Sequence, residues 1–368
     1  MKRSLKCLIP VALFVVIVII GVSYAAQDIP ALRDAKDSAE RARVEALINA
    51  ARKEGQLRWT GFNLEAEHGK FVLDGFKAYY GLPDLDATYT NEPQTAPMVT
   101  RTEQLIKAGR PTQDITWYVL WPWYKDLLAR RYITRYESPY YKDYTLSDKS
   151  GNSMPGYWVS DSYAFAPMWN TNALAKRGIK DFNPTSWWDF TDPKFKKLCS
   201  IGNMGRSINL AMLGIGLRKA LGTDWFMKMA KLEPAVWQNA AEGRDWCASG
   251  EYPIDMYSHA THATRAKAAG ANVKLVYPKE GAVVYPFAPI IMANGKNQNA
   301  AKLFIDYVRS APGADRVAAS GVFLLFGRPG VKVPPNEFLP SLEKIKTIPM
   351  NWDEDTSSEK ILAFETLK

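Results

Sequence analysis

The sequence predicts an α/β protein built as two lobes, and three observations carry this. Strand, loop and helix patterns alternate along the chain instead of segregating into blocks. A length of 368 residues is enough for two hydrophobic cores. Two extended segments, near 163–169 and 277–289, read as crossings between lobes, and no long linker occurs elsewhere.

The chain opens on an export pattern. Lys2, Arg3 and Lys6 precede an uncharged apolar run over 8–22, and Ser23-Tyr24-Ala25 supplies small residues at the positions a signal peptidase reads. This predicts a signal peptide over 1–25, cleaved after Ala25. The run falls short of the about 20 residues a membrane span needs. Cys7 stands at the head of the run, not behind it, unlike a lipid-attachment cysteine. An oxidising compartment favours a structural disulfide between Cys199 and Cys247, which lack Cys-x-x-Cys redox spacing. Three of the charges behind the net +9 leave with the signal. The modest positive excess that remains suits anionic ligands. An exported chain without a long basic run is not expected to bind nucleic acid.

The elements follow in order. Val44, Leu47, Ile48 and Ala51 lie at helical spacing within 34–54, and Gly55 ends that helix. "QLRWTGF" (56–62) reads as the first buried strand, "NLEAEHG" (63–69) as a polar loop, and 70–81 as a helix. A loop at the carboxyl end of a strand is where open α/β sheets bind ligands. The unit recurs as a strand over 114–120 with a helix over 121–131, then a long extended segment over 157–170. "LCSIGNMGRSINLAMLGIGLRKALG" (198–222) reads as strand, glycine turn and helix, and 252–270 as strand, loop and helix. Strands are expected at 273–278 and 283–293, and a helix at 297–311 with Ala300, Leu303, Phe304, Tyr307 and Val308 on one face. A proline-rich tail near 329–340 leads to a last helix. Ser186-Trp187-Trp188-Asp189 has the form of a capping box, with Asp in place of the usual Glu or Gln, and Asp192-Pro193 ends the short helix.

An ordered set of segments resembles the family 1 extracellular solute-binding proteins of bacterial ABC importers, in the branch that includes ferric-iron binders. The set comprises "AARKEGQLRWTGF", "FAPMWNTNAL", "PTSWWDFTDPKFK", "ASGEYPIDM", "YPKEGAVVYPFAPIIMANGKNQNAAKLFIDYVRS" and "ASGVFLLFGRPG". The resemblance implies a type II periplasmic-binding fold with hinge strands between the lobes, a ligand-gripping cleft and delivery to a membrane permease. The expected divisions are an N-terminal helical segment over 26–55, lobe 1 over 56–163 and 281–368 with C-terminal helices, and lobe 2 over 164–280. Iron-binding members carry a Tyr-Tyr pair where this chain has Ala260 and Thr261. The missing dyad removes the paired phenolates that hold ferric iron in that branch.

Candidate ligand contacts lie in the cleft loops. Asn63 and Glu65 follow the first strand; Trp117 and Tyr118 end the next; Tyr163 and Tyr257 sit on crossover and strand-end segments. Trp187 and Trp188 read as packing residues, and Trp121 and Trp123 as packing or surface residues. The turn before the helix at 208 offers backbone N–H groups, with Arg206 and Ser207 as further donors to an anion. His259 lies in the loop after "YPIDMY", and His259-x-x-His262 sets two imidazoles on one helical face. His68, His259 and His262 form an alternative transition-metal set. Arg265 is a further cation; Glu65, Glu67 and Asp255 would favour an amine or a metal.

The motifs of serine hydrolases, zincins and P-loop enzymes are missing from the sequence. The expectation is a periplasmic, monomeric, non-enzymatic component of an ABC importer, without a cofactor. It is expected to capture a small organic anion such as a phosphonate, phosphorylated compound or carboxylate. A ferric-type metal binder is the second reading and an exported hydrolase the third.

Overall fold

The computed structural model describes residues 28–61, 66–92, 95–118, 121–147, 154, 156–204, 208–322 and 324–350. The export pattern and the sequence after 350 lie outside them. The chain builds two five-stranded sheets, each with two parallel and two antiparallel strand pairings.

The first sheet begins behind two helices, α1 (Pro30–Arg33) and α2 (Ser38–Glu54). Asp37 caps α2 by accepting the Glu40 N–H at 2.8 Å, and Gly55 ends it at φ 71°. β1 (Gln56–Gly61), α3 (Ala66–Tyr80), β2 (Asp86–Asn91), α4 (Thr95–Lys107), β3 (Ile115–Tyr118) and α5 (Trp121–Ala129) then alternate. β1 runs parallel to both β2 and β3, so their carboxyl ends share one edge. β4 (Asp161–Ala164) is the far strand of this sheet.

One residue, Phe165, separates β4 from β5 (Ala166–Asn170), which already belongs to the second sheet. That sheet continues through α6 (Thr171–Lys176), β6 (Cys199–Gly202), α7 (Ile208–Lys231, broken at Gly222), β7 (Ala235–Trp237), α8 (Ala240–Ser249), β8 (Ile254–Ser258), α9 (Ala260–Ala268) and β9 (Val273–Leu275). Its order is β7-β6-β8-β5-β9, with β6 parallel to β7 and β8.

The chain then returns. β10 (Val284–Ile291) inserts between β3 and β4 and is antiparallel to both, giving the order β2-β1-β3-β10-β4. α10 (Gln298–Arg309) and α11 (Ala311–Ala319) close the first layer. Glu54 at the end of α2 accepts the backbone N–H groups of Asn299 and Ala300 at 3.0 and 2.8 Å, tying the start of α10 to the amino-terminal helix.

Both crossings are anchored. The Phe165 N–H donates to the Val283 carbonyl, so the two passages run side by side. A Cβ on Gly216 of α7 would stand 2.6 Å from Val283 Cγ2, so only glycine lets the returning passage lie this close to the helix. Asp161 and Arg309, both nearly without exposure, pair at 2.6 Å. Asp161 also accepts the Gly327 N–H at 3.0 Å, which fixes β4 to α10 and to the segment behind it.

The capping box at Ser186 forms as read, on a short 3₁₀ turn over Trp187–Thr191. Trp187 is buried, with its indole N–H on the Gly281 carbonyl at 2.8 Å. The expected disulfide is overturned: Cys199 and Cys247 are free, buried thiols. Cys199 lies in the main core cluster with its Sγ near the Phe195 carbonyl, whereas Cys247 packs with Met168, Ala260 and Ala263 and faces the Pro253 carbonyl. Burial raises the Cys199 thiol to about 12 and holds Cys247 well above its ordinary range.

Candidate functional site

The parallel strands of each sheet end along one edge, and the segments after those ends carry the sequence candidates. Asn63, Glu65, Arg206 and Ser207 lie outside the described residues. The loop after β8 is described, and it starts α9 at His259.

Trp117 and Tyr118 belong to the body of the first lobe. Trp117 is buried, stacks on Phe287 at 5.5 Å and donates to its carbonyl, with the Arg309 guanidinium 5.5 Å over the ring. The Tyr118 hydroxyl donates towards the Gly61 and Glu92 carbonyls at 3.2 and 2.9 Å, joining the ends of β1 and β2. Burial pushes its phenol up, which keeps it a neutral donor. Both side chains are buried and bonded within the first lobe.

Tyr163, Tyr257 and His259 meet the junction of the lobes. Tyr163 of β4 packs edge-on against Phe287 at 5.1 Å and against His259 at 5.4 Å. Phe165, in the crossing itself, meets His259 at 5.8 Å. His259 therefore touches a first-sheet residue while heading a second-sheet helix. The His262 ring lies 4.0 Å from it, centroid to centroid. Burial, with the nearby charges of Arg265 and Arg244, lowers His259 to about 3, and burial, His259 and the same two arginines hold His262 well below its ordinary range. Tyr257 is buried, and its backbone N–H donates to Asp255 Oδ1.

His68 is half-buried at the start of α3 in the first lobe, and a Cβ on Gly321 would lie 3.9 Å from its ring. No contact joins it to the His259–His262 pair among the described residues. Nor does any group of three or more His, Cys, Asp or Glu gather there that could hold a metal.

Several buried polar atoms among the described residues have no hydrogen-bond partner, among them His259 Nδ1, Thr261 Oγ1, His262 Nδ1, Asp255 Oδ2, Ser162 Oγ and Asn91 Oδ1. Buried polar groups are normally satisfied. Three of the six sit in one turn at the head of α9, and Ser162 and Asn91 come from the first sheet. Thr261, Ser162 and Asn91 were not singled out by the sequence as contacts. Thr261 did carry a signal, since it occupies one of the positions of the missing tyrosine pair. Asp255 lies deeper, accepting the Trp237 indole N–H at 3.1 Å, and burial raises its carboxyl to about 6.

The fold is that of known binding proteins. AfuA of Actinobacillus pleuropneumoniae, solved with exogenous fructose-6-phosphate bound, superposes with a TM-score of 0.68 over 85% of this chain and 97% of that one, at 17% identity. Iron-bound HitA of Pseudomonas aeruginosa gives 0.65 over 84% and 98%, at 15% identity. The Trichodesmium protein IdiA (FutA), in complex with iron and citrate, gives 0.62 over 85% and 98%, at 14%. The sequence matches no curated protein. The profile of a bacterial extracellular solute-binding protein family matches residues 116–355. Members of such families bind small ligands and present them to ABC permeases. With that match covering more than half of the chain, and both sheets where the fold requires them, the chain belongs to the bacterial extracellular solute-binding protein family.

Proposed function

We propose that this protein captures a small organic anion between its lobes in the periplasm and delivers it to the permease of an ABC importer. The observation that carries the reading is the meeting of the two sheets at His259, which packs on Tyr163 of the first sheet and Phe165 of the crossing and lies, with Thr261 and His262, in a turn whose buried side-chain polar atoms lack partners. A ligand that satisfies groups from both sheets favours the closed arrangement, and binding then shifts the population towards it. The moving parts are 56–163 with 281–368 on one side and 164–280 on the other. The aromatic flank of Tyr163 and Phe165 and the field of Arg244 and Arg265 suit a ligand with an organic body and an anionic group.

The protein acts as a monomer, without nucleic acid and without catalysis; it returns its ligand unchanged. The phosphorylated sugar held by AfuA has this chemistry, and a phosphonate or carboxylate shares its anionic group. Among the described residues no helix is long and apolar enough to cross a membrane.

Native mass spectrometry of the exported protein, purified without chelator or refolding, tests the reading. An added organic mass that raises the melting temperature on re-addition supports it. An added mass of one metal ion, lost to a chelator, replaces it with the metal reading. Turnover of the bound compound replaces it with the hydrolase reading.

A further inference from the structure

We propose that residues 328–348 form a strap between the two lobes, one that limits how far α9 can move from α11. The inference rests on the reading that the lobes move against each other, and it assigns a stop on that movement to the segment that follows α11.

The strap leaves the first lobe under two ties. Arg328 pairs with Asp143 at 2.7 Å. The Lys332 N–H donates to Asp315 Oδ1 on α11 at 2.8 Å, while Val331 and Val333 pack against the main core cluster. The next fixed residue already belongs to the other side. Asn336 Nδ2 donates to Thr264 Oγ1 on α9 at 2.7 Å, and Glu337 pairs with Lys267 of the same helix. Phe338, 5% exposed, packs with Met168 of β5 and with Ala260, Ala263 and Ala266 of α9. The Tyr277 hydroxyl donates to the Phe338 carbonyl at 3.1 Å, and Asn336 Oδ1 accepts the Phe338 N–H at 2.8 Å, closing a turn around the buried ring.

Beyond that anchor the strap turns back to the crossings. Leu342 and Ile345 pack with Ala164, Ala282 and Val284. The Ala282 N–H donates to the Lys346 carbonyl, and the Ile348 N–H to the Ala282 carbonyl, each at 2.9 Å. The strap is thus a third passage beside the two that meet at Phe165 and Val283.

Its reach is short. Lys332 and Asn336 stand four positions apart, so the chain between their ties spans at most about 14 Å. Pro334 and Pro335 fix φ there and keep the residues before them extended, which leaves little slack. The far anchor is well held, by a buried aromatic ring and by the polar ties around it. A swing that carries α9 away from α11 therefore runs the strap taut before it strips Phe338 from its seat.

The test uses the exported protein, dialysed free of solute, with spin labels at Ala268→Cys on α9 and Ala311→Cys on α11. Both positions are exposed, and Cys199 and Cys247 are buried. Pulsed dipolar spectroscopy reads the distribution of distances between the labels. A Gly-Ser-Gly-Ser insert between the exposed Pro334 and Pro335 keeps every contact of the strap and adds about 13 Å of reach. It is expected to broaden the distribution and to move its upper limit out by about 5 Å or more. Phe338→Ala, which releases the anchor, should do the same with circular dichroism unchanged. Where the two differ the insert decides, because Phe338→Ala also removes core packing. A broad distribution in the parent that the insert does not extend overturns the stop and leaves lobe movement standing. A narrow distribution in the parent that the insert does not extend overturns both.

Discussion

The Glu280 carboxylate holds the turn that starts at Ser186: it accepts the Ser186 hydroxyl at 2.6 Å and the Trp187 backbone N–H at 3.2 Å. The returning passage between the lobes is thereby latched to the second lobe by a charge-assisted cap. The Lys279 N–H on the Thr185 carbonyl and the Trp187 indole on Gly281 complete the latch. The two adjacent tryptophans divide the work. Trp187 is core, and Trp188 lies half-buried with Lys228 5.2 Å over its ring.

Removing the latch should loosen the second lobe. Glu280→Ala is expected to lower the unfolding free energy by about 1–3 kcal/mol, and Ser186→Ala by less. Urea denaturation followed by tryptophan fluorescence measures this. An unchanged midpoint for Glu280→Ala would show that the cap contributes nothing.

The Asp161–Arg309 pair is fully buried, so breaking it leaves one charge stranded. Arg309→Met should cost about 3–5 kcal/mol. The double variant Asp161→Leu with Arg309→Met should recover part of that loss, because neither charge is then buried alone. A double variant less stable than Arg309→Met would refute the argument.

Asp255 gives a pH signature with a definite sign. Burial raises its folded carboxyl to about 6 against 3.8 for the free group. The folded state keeps the proton to higher pH, so stability is lost as pH rises from about 4 to about 6, and the penalty stands above that. Asp255→Asn should gain stability over the unaltered protein at pH 7.5, by at most about 3 kcal/mol. Near pH 4 the two should be nearly equal. Melting temperatures across pH 4–8 read the difference, and a gap that does not grow with pH defeats the assignment.

His259 acts in the opposite sense. Its folded value, about 3, lies below the ordinary 6.5, so the unfolded chain takes the proton first. Stability should fall as pH drops through about 6.5, with the loss complete near 3. His259→Phe, which keeps a ring beside Tyr163, should flatten this acid limb in a calorimetric scan. An acid limb as steep as before would place its cause elsewhere.

The thiols offer a direct check. Cys199 and Cys247 should both escape a thiol reagent in the native protein and both react in denaturant. Reductant should leave the melting temperature unchanged. A drop of several degrees on reduction would reinstate the disulfide.

The sequence made the repeated units legible because buried strands and one-faced helices keep their periodicity wherever they pack. The face over 300–308 and the capping box at Ser186 are examples. β2 escaped notice because it is a half-exposed edge strand with Asp86 and Asn91 at its ends, and β7 because it has three residues. The cysteines misled because compartment chemistry says only that a bond is permitted. Pairing depends on where two sulfurs point, and these point into different clusters. The site was partly legible: the His259 loop was marked by its residue types. Thr261 was marked only by the missing tyrosine pair and Ser162 not at all, and that their side chains lack partners is something only coordinates reveal. Trp117 and Tyr118 were rightly placed at a strand end, but their side chains turn back into the lobe.

The position of β10 between β3 and β4 also bears on how the chain assembles. Synthesis proceeds from the amino terminus, and the second sheet draws its strands from one continuous stretch, 166–275. The first sheet stays in two pieces until residues 284–291 are available to join them. The lobe that begins first is therefore completed last. Until then its β3 and β4 edges lie open, each a template for wrong pairing, which makes the amino-terminal half the part most dependent on a holding chaperone.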